Sequence, residues 1–424
     1  MASFSFGAGN ARKLAAVPLY VLGRIATFMI PRSRAAWVFG CGAGIGDGAL
    51  ALWRAADAAG IASTWLVGSE SEAEHADAAG IPHVRKGTWR GFWRTARARV
   101  VVVTHGFGDV NRYAVSGAFI VQLWHGIPLK RIGLDSPETL RVPQAIERAP
   151  FVAGLARRVL RTMFAGAARR IRILPAASHL VRGRLESAFG LSDAHIVVSG
   201  EPRVDVLSQG APEWRRTRAR EDIHRLTGAD VASRFVLYAP TWRDGAPDPA
   251  VPTAAEWREI IGVLDDADAT LIVRSHPLGA GAYVPPLETT RVRPLGSDVA
   301  PDITPLLPGM DVLITDYSSL AYDAGLVALP VVYLAPDVEE YARTRGFYGR
   351  FADVAGEAVP TTWLAAATRL RVVLTDDDVH AYERRRSEDL SRHVHAFRDG
   401  NNTERVLRAI LAGIAEDDRR RGRR

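Results

Sequence analysis

Short runs of apolar, often β-branched residues alternate with helix-compatible segments over most of the chain. A short apolar run bounded by glycine, proline or polar residues is typical of a strand that is buried on both faces of a parallel sheet. These runs fall into two groups along the sequence. The pattern predicts strands at Trp37–Phe39, Thr64–Val67, Val100–Val103, Phe119–Trp124, Ile171–Leu174 and Ile196–Val198, and then at Phe235–Tyr238, Thr270–Val273, Val312–Ile314 and Val331–Leu334.

The two groups of strands predict two α/β domains that enclose a cleft, each with a parallel sheet and with helices on both of its faces. The polar, arginine-rich segment Ser208–Arg225 has the composition of a linker, so we place the domain boundary near Gly210. The predicted organisation is an N-terminal helical segment (1–34), a first domain (35–210), a second domain (211–398), a C-terminal helix (399–415) and a basic tail (416–424). We expect the end of this tail, Arg419–Arg424, to be disordered.

The segment Leu14–Ile30 is apolar apart from Arg24 and is flanked by basic residues on both sides. A spanning helix needs about 20 apolar residues and a signal peptide needs an uninterrupted apolar core, so the segment fits neither pattern. Two interpretations stay open. One is an amphipathic helix in the interface of an acidic membrane, and the other is a structural helix docked on the protein. The arginine-studded, mainly helical stretch Arg141–Arg172 could add a basic face that binds an acidic surface.

Composition narrows the range of partners. A single cysteine, Cys41, excludes an internal disulfide framework and a cysteine-based zinc site, and it fits a reducing compartment. The formal net charge is +7, and its cationic side chains are arginines except for Lys13, Lys86 and Lys130. Arginine suits nucleotides, anionic polymers and acidic lipids, although codon bias in a GC-rich genome explains the same excess. Nucleic acid is not favoured, because the chain has no zinc-finger, RNP-type or basic-zipper pattern.

Common cofactor and metal motifs are absent from the sequence. The glycine-rich run Gly40–Gly48 gives no Gly-x-Gly-x-x-Gly in any frame, so we predict a loop that permits close backbone approach and not a dinucleotide site. The sequence contains neither a Gly-x-x-x-x-Gly-Lys phosphate-binding loop nor a Gly-x-Ser-x-Gly elbow. The acidic run Asp265–Asp268 precedes a strand, at the edge of the sheet that does not face ligands. We therefore predict no metal and no dinucleotide cofactor.

The segment Val312–Leu334 predicts a strand, a capped helix and a second strand, with Asp316-Tyr317-Ser318-Ser319 at the first turn. In an open parallel sheet, the turn at the carboxyl end of a strand faces the ligand crevice, and the N–H groups at a helix start attract phosphate. Ser318 and Ser319 are therefore candidates for a phosphate-binding turn. Ordinary N-capping of a core helix explains the same residues equally well.

Other strand ends also carry side chains that suit chemistry on a phosphate. A histidine with a pKa near neutrality can take a proton from a hydroxyl group, and His125 directly follows an apolar strand. Arginine and histidine can donate to phosphate oxygens and neutralise the charge on a leaving group. Residues of this kind follow two strands of the second group, and they are Thr241 and Arg243 after one strand and Arg274 and His276 after the other.

Together these motifs resemble the CDP-glycerol:poly(glycerophosphate) glycerophosphotransferase family, which includes teichoic acid polymerases and primases and related capsule polymerases. They occur in the family's order over most of Val100–Arg405, and an ordered set is far more specific than any single motif. The matching pieces are Gln122-Leu123-Trp124-His125-Gly126-Ile127-Pro128-Leu129-Lys130, Gly200-Glu201-Pro202-Arg203-Val204-Asp205, Leu237-Tyr238-Ala239-Pro240-Thr241-Trp242-Arg243, Arg274-Ser275-His276-Pro277, Thr315-Asp316-Tyr317-Ser318-Ser319, and Glu339-Glu340-Tyr341 through Arg345-Gly346-Phe347-Tyr348.

The resemblance implies a GT-B architecture of two Rossmann-like domains, with the donor nucleotide bound mainly by the second. It also implies transfer of a polyol phosphate from CDP-glycerol or CDP-ribitol to a hydroxyl of a lipid-linked or polymeric acceptor. CMP would be released, at the cytoplasmic face of the membrane. By this resemblance the catalytic residues are His125, which is the base, and His276, which helps to stabilise the departing CMP. The donor and its phosphates are bound by Arg274, Ser318, Ser319, Thr241, Arg243, Asp323 and Glu340. The acceptor side includes Gly126, Lys130 and Arg203.

Two departures from the family pattern leave alternatives open. The usual Gly-Tyr-Pro-Arg appears as Gly200-Glu201-Pro202-Arg203, and we recognise no motif of the family in the region before Val100, which should face the acceptor. We expect glycerol before ribitol as the polyol. The other interpretations are a GT-B nucleotide-sugar glycosyltransferase, a UDP-sugar 2-epimerase and a non-catalytic scaffold that binds anionic polymer. The sequence does not predict an oligomeric state.

Overall fold

Each group of apolar runs folds into a parallel sheet of its own. The computed structural model of the chain describes residues 6–241, 243, 248–274 and 283–422. The chain forms two α/β units. The first unit combines Phe6–Gly126, Gly133–Asp205 and the C-terminal segment from Asp399 onward, whereas the second combines Ile127–Ile132 with Val206–Arg398.

The sheet of the first unit is parallel throughout. Its strands are β1 (Trp37–Phe39), β2 (Ser63–Val67), β3 (His83–Arg85), β4 (Val100–Val103), β5 (Phe119–Gln122), β6 (Ile171–Ala176) and β7 (Ile196–Val198). They are arranged in the order β3-β2-β1-β4-β5-β6-β7. The four valines of β4 are fully buried, as expected for a central strand covered on both faces. Strand β3 was not predicted, because His83 and Arg85 interrupt its apolar pattern.

Helices connect and cover these strands. They are α1 (Phe6–Ala15), α2 (Val17–Met29), α3 (Asp47–Ala58), α4 (Glu70–Ala78), α5 (Trp89–Arg97), α6 (Gln144–Glu147), α7 (Pro150–Ala168) and α8 (His179–Phe189). The core between α3 and the sheet contains large aromatic side chains, among which Phe39 and Trp65 stack with ring centroids 6.1 Å apart. This core holds β1 and β4 in place, and the carboxyl ends of both strands carry loops that form the candidate site.

The N-terminal helices are attached by small and polar residues. Asn10 of α1 is buried, and its Nδ2 donates to the carbonyl oxygens of Thr139 and Arg141 at 3.2 and 2.8 Å. A Cβ atom at Gly23 of α2 would lie 2.5 Å from the carbonyl oxygen of Tyr113, so this glycine lets the helix dock closely. The large apolar side chains of α2 point to solvent instead, namely Leu19, Val21, Leu22, Ile25, Phe28 and Met29.

The N-terminal segment, residues 1–34, was predicted to contain one helix and forms two, α1 and α2. The predicted amphipathic helix is not confirmed. Gly23 and Thr27 are the buried residues of α2, so its small residues face the protein and its apolar residues face outward. Among the residues that the structure describes, no helix combines the length and the apolar character that crossing a membrane requires.

The second unit contains a smaller parallel sheet. Its strands are β8 (Arg234–Ala239), β9 (Ala269–Val273), β10 (Val292–Pro294), β11 (Val312–Thr315) and β12 (Val331–Tyr333), in the order β10-β9-β8-β11-β12. Its helices are α9 (Pro212–Thr227), α10 (Ala254–Asp266), α11 (Leu320–Ala324), α12 (Val338–Thr344), α13 (Ala352–Ala355), α14 (Trp363–Thr375) and α15 (Asp377–Val394). Central strands β8 and β11 pair from Val312↔Val236 to Thr315↔Ala239, which brings their carboxyl ends together.

The predicted linker Ser208–Arg225 is wrong, because most of it forms helix α9. Proline in its first turn and Gly228 in the left-handed conformation at its end give the helix clear boundaries. Ala219 and Ile223 form a narrow buried stripe, and Arg220 donates to the carbonyl oxygen of Gly309 at 3.0 Å and contacts Asp311 at 3.1 Å. The arginines that suggested a solvated linker thus anchor the helix.

The final helix, α16 (Asn402–Gly422), belongs to the first unit although it follows the second. The Asp205 carboxylate accepts hydrogen bonds from the backbone N–H groups of Asn402 and Thr403 at 3.0 and 2.7 Å, which caps the start of the helix. The helix continues beyond the predicted end at residue 415 and through most of the tail expected to be disordered. Arg99 of the first unit pairs with Asp417 and Asp418 at 3.0 and 2.6 Å, which explains the extension.

Candidate active site

Two clusters of polar side chains lie at strand ends, one in each unit. The first cluster is built on the carboxyl end of β4, where Thr104, His105 and Gly106 turn around a buried aspartate. Asp109 Oδ2 accepts the backbone N–H groups of these three residues at 2.9, 2.7 and 3.3 Å. This carboxylate therefore fixes the backbone that presents the His105 ring.

His125 is positioned by the end of β5. The strand stops at Gln122, two residues earlier than predicted, because Trp124 adopts a positive φ of 62° and Gly126 one of 136°. His125 Nδ1 lies 3.3 Å from the carbonyl oxygen of Thr104, which also accepts a hydrogen bond from Gln122 at 3.0 Å. Since a carbonyl oxygen only accepts, Nδ1 carries the proton, and the lone pair of the neutral ring is on Nε2. That tautomer suits a general base.

His105 stacks on His125, and sequence reasoning missed it. The two ring centroids are 3.9 Å apart and the planes differ by 3°. Desolvation lowers the pKa of His105 below its usual range, and the negative charge of Asp109 acts in the opposite direction. A neutral ring presents its electron-rich face to an imidazolium. The signal was available, because His105 follows the predicted strand Val100–Val103 just as His125 follows Phe119–Gln122.

The glycine-rich loop Gly40–Gly48 lets its backbone approach these residues closely, as the sequence predicted. A Cβ atom at Gly40 would lie 2.3 Å from the carbonyl oxygen of Asp109, and one at Gly42 would lie 2.5 Å from Cγ of His105. Neither position accommodates a side chain. Burial raises the pKa of the neighbouring Cys41 thiol, and the charge of Asp47 adds to the effect, so Cys41 stays protonated and is not a nucleophile.

The second cluster surrounds the carboxyl ends of β8 and β11. Arg243 donates to both carboxylate oxygens of Asp337 at 2.7 and 2.8 Å, and it lies 3.0 Å from Asp316. Its guanidinium sits over the rings of Tyr317 and Tyr341, 5.0 and 4.9 Å from their centroids. Both Arg243 and Tyr317 are buried. The guanidinium of Arg243, which was predicted to bind a phosphate, is thus engaged by two carboxylates. Arg243 therefore organises the cluster.

Thr241 and the serine turn are held by the same network. The Asp316 carboxylate accepts the backbone N–H groups of Thr241 and Tyr317 at 2.8 and 2.6 Å, which shapes the turn after β11. Ser318 Oγ accepts the N–H of Leu320 at 3.2 Å, so the capping interpretation holds for this serine. Ser319 is half-buried at the start of α11, and within the described residues its side chain makes no capping hydrogen bond.

Three more predicted donor residues occupy different environments. Arg274 directs its terminal nitrogens to the carbonyl oxygens of Ala300 and Pro301 at 2.6 and 3.0 Å, so it braces that loop. Asp323 is buried 3.6 Å from His395 Nε2 of the second unit, because α11 turns this face toward the region after α15. That placement corrects our expectation that Asp323 faces donor hydroxyls. Glu340 is exposed on α12. His276 lies outside the described residues.

The three predicted acceptor-side residues separate. Gly126 ends the loop that carries His125 in the first unit. Arg203 is buried and pairs with Glu201 at 3.0 Å. Glu201, the residue that departs from the family pattern, therefore neutralises the charge of Arg203. Lys130 belongs to the second unit. No group of acidic, histidine or cysteine side chains suited to a metal ion occurs in the part of the chain that the structure describes.

Two Rossmann-like units with polar strand-end clusters define a protein of the GT-B class, as predicted. The particular family follows from sequence. The model for CDP-Glycerol:Poly(glycerophosphate) glycerophosphotransferase matches residues 41–412, and the chain belongs to this family, which confirms the resemblance.

Individual relatives agree with this family. The teichoic acid glycerol-phosphate transferase of Staphylococcus aureus is 24% identical over 341 residues, which cover 78% of this chain and 80% of the relative. The teichoic acid poly(glycerol phosphate) polymerase of Staphylococcus epidermidis is 28% identical over 242 residues, which cover 55% of this chain but 31% of the relative.

A solved structure gives the same picture of the fold. The wall teichoic acid polymerase TagF has a TM-score of 0.75 at 19% identity, with 97% of this chain and 98% of that chain covered. A TagF structure obtained after a soak with CDPG has a TM-score of 0.71 at the same identity. At this level of identity the likeness concerns the fold alone.

Proposed function

We propose that this protein transfers glycerol phosphate from CDP-glycerol to a hydroxyl group of a lipid-linked or polymeric acceptor and releases CMP. Family membership supports the reaction class. The observation that carries the proposal is His125, whose Nδ1 is held at the Thr104 carbonyl so that its Nε2 lone pair can take the hydroxyl proton. The stacked His105 favours the imidazolium that this step produces.

The chemistry needs one proton acceptor and several cationic or polar groups. The acceptor hydroxyl would lose its proton to His125 while its oxygen bonds to the phosphorus that bears the glycerol. The bond from that phosphorus to the bridging oxygen then breaks, and CMP leaves with the bond's electron pair. Groups of the second unit would neutralise the departing phosphate, with Ser319 as a hydroxyl donor. We propose that these side chains act without a metal or a dinucleotide cofactor.

The test is release of CMP from purified protein incubated with CDP-glycerol and a lipid-linked acceptor. We expect His125→Ala to lower the rate by about 100-fold or more, in the range typical for loss of a general base. His75→Ala is the matched control, because His75 is exposed on α4. Equal rates for the wild type and His125→Ala would contradict the mechanism. EDTA should leave the rate unchanged.

The same assay distinguishes the donors. Parallel reactions with CDP-glycerol, CDP-ribitol and a UDP-sugar, monitored for CMP and UDP together, report which donor is used. If CMP is released from CDP-ribitol and not from CDP-glycerol, the transferred polyol is ribitol. Release of UDP would favour a glycosyltransferase. Retention of polymer without any nucleotide turnover would favour a scaffold.

We also propose that the protein binds peripherally to the cytoplasmic face of an acidic membrane. The exposed apolar side chains of α2 support this, and so do those at the start of α7, where Phe151 is 86% exposed. Phe28 of α2 is 93% exposed. Exposed aromatic side chains together with the neighbouring arginines Arg24, Arg157 and Arg158 suit a lipid interface, where apolar groups enter the acyl boundary and cations meet phosphates.

A further inference from the structure

Lys130 is fixed to the second unit by backbone pairing. It forms an antiparallel bridge with Phe347. On either side of it, Arg131 donates its N–H to the carbonyl oxygen of Gly346 at 3.0 Å, and Tyr348 donates to that of Leu129 at 2.9 Å. This strap, residues 127–132, leaves the first unit directly after the His125 loop. Its main-chain bonds determine where the Lys130 side chain begins.

The charges around Lys130 leave it without a counterion of its own. Asp316 and Asp337 are both engaged by Arg243 and by N–H or O–H donors of the cluster. Arg345 adds another positive charge near the lysine. In the described part of the chain, the Lys130 ammonium forms no hydrogen bond or ion pair. Lys130 is half-buried, so its ammonium is only partly withdrawn from water, and an anion beside it would be stabilised by its charge.

We infer that Lys130 is an anion-binding residue of the second unit that contacts a phosphate oxygen of the nucleotide donor. This inference rests on the proposed function and replaces the acceptor-side role expected from the sequence. Lysine suits this task as a compact charge with three donors. The Asp316 carboxylate, which lowers the local positive charge, also shapes the turn that presents Ser318 and Ser319, so lysine and serines belong to one cluster.

The protonation of Lys130 provides a readout of its own. Burial lowers the pKa of its ammonium to about 8, with Arg345 acting in the same direction and Asp316 against it. Burial raises the pKa of Tyr317 well above its usual range and that of Tyr341 to about 12, so both stay neutral. Arginine side chains stay charged over this pH range. Among the described residues of this cluster, Lys130 is therefore the group that changes charge between pH 7 and about 10.

The experiment is calorimetric titration of the full chain with CDP-glycerol at pH 7 and at steps up to pH 9.5. Lys130→Met keeps the length of the side chain and removes its charge, and we expect it to weaken binding by about 10- to 100-fold, the range for loss of a charged hydrogen bond. Wild-type affinity should be constant below about pH 8 and fall above it by about tenfold per pH unit as the ammonium loses its proton. Lys130→Arg should retain binding without this decline.

Controls separate the inference from the proposed function. Lys86→Met changes a lysine of the first unit and should bind as the wild type does, and circular dichroism checks that each variant is folded. Wild-type protein that binds no CDP-glycerol would overturn the proposed function itself. Wild-type binding that Lys130→Met leaves unchanged, or a pH decline that persists in Lys130→Arg, would overturn only the inference.

Discussion

At the scale of single residues, the structure separates binding groups from groups that organise the cluster. Arg243 was predicted to contact donor phosphates, but the structure surrounds it with two carboxylates and two tyrosine rings. The sequence showed that an arginine stood at a strand end. It gave no indication that Asp337, 94 positions away, would return to pair with it. Residue type was thus predictable, whereas the partner of each charge was not.

Removing Arg243 should destabilise the second unit. Arg243→Met leaves two carboxylates in a desolvated cluster without their cation, and we expect a loss of about 3–5 kcal/mol in the free energy of unfolding. Arg243→Lys should lose less, because a lysine keeps the charge but not the bidentate geometry. Urea titration followed by circular dichroism measures both. Wild-type stability in Arg243→Met would show that the network contributes nothing.

The same variant should also change how the free energy of unfolding depends on pH in acid. Burial alone would raise the pKa of Asp337, but the hydrogen bonds and charge of Arg243 outweigh burial and hold the pKa below its usual value. A lowered pKa contributes stability above the unfolded value of about 4, and this contribution disappears as the pH falls through the folded pKa. The loss of wild-type stability below about pH 4 should therefore be smaller in Arg243→Met.

At the scale of elements, the period of the apolar pattern located most of the strands but missed β3 and β10 and misjudged two helices. Helix α9 was assigned to a linker, because its buried stripe is narrow and arginines dominate its composition. Helix α16 was separated from the domain on which it packs, because a cap such as Asp205 to Thr403 spans 198 residues. Local patterns specify that a helix forms. Its docking surface depends on residues distant in the sequence.

The cap of α16 gives the prediction at this scale. Asp205→Ala leaves the N–H groups of Asn402 and Thr403 without their acceptor in a buried setting, and we expect a loss of about 1–3 kcal/mol in the free energy of unfolding. Asp399→Ala is the control. It removes a half-exposed partner of Arg405 and should cost about 1 kcal/mol or less. Urea unfolding compares the two, and equal effects would show that Asp205 has no special role.

At the scale of the whole molecule, attachment to a membrane is the prediction that the exposed apolar residues support. Phe28→Ser and Phe151→Ser together should reduce flotation with vesicles that contain phosphatidylglycerol, because they remove the most exposed aromatic rings of α2 and α7. Vesicles of phosphatidylcholine alone should bind the wild type more weakly if arginines contribute. Val284→Ser in the second unit is the control, since Val284 is also highly exposed. Unchanged flotation of the double variant would show that α2 and α7 do not contribute to membrane attachment.

The sequence by itself determined the two α/β units, the buried strands, the loops at their carboxyl ends and the family. These depend on local periodicity and ordered motifs, and burial on both faces of a sheet leaves a short apolar run that can be recognised without a structure. Only the tertiary structure decided that His105 stacks on His125, that Arg243 is held by carboxylates and that Lys130 belongs to the second unit. Such pairings are determined by where the chain returns in space, and electrostatic interactions act over a few ångströms irrespective of sequence separation.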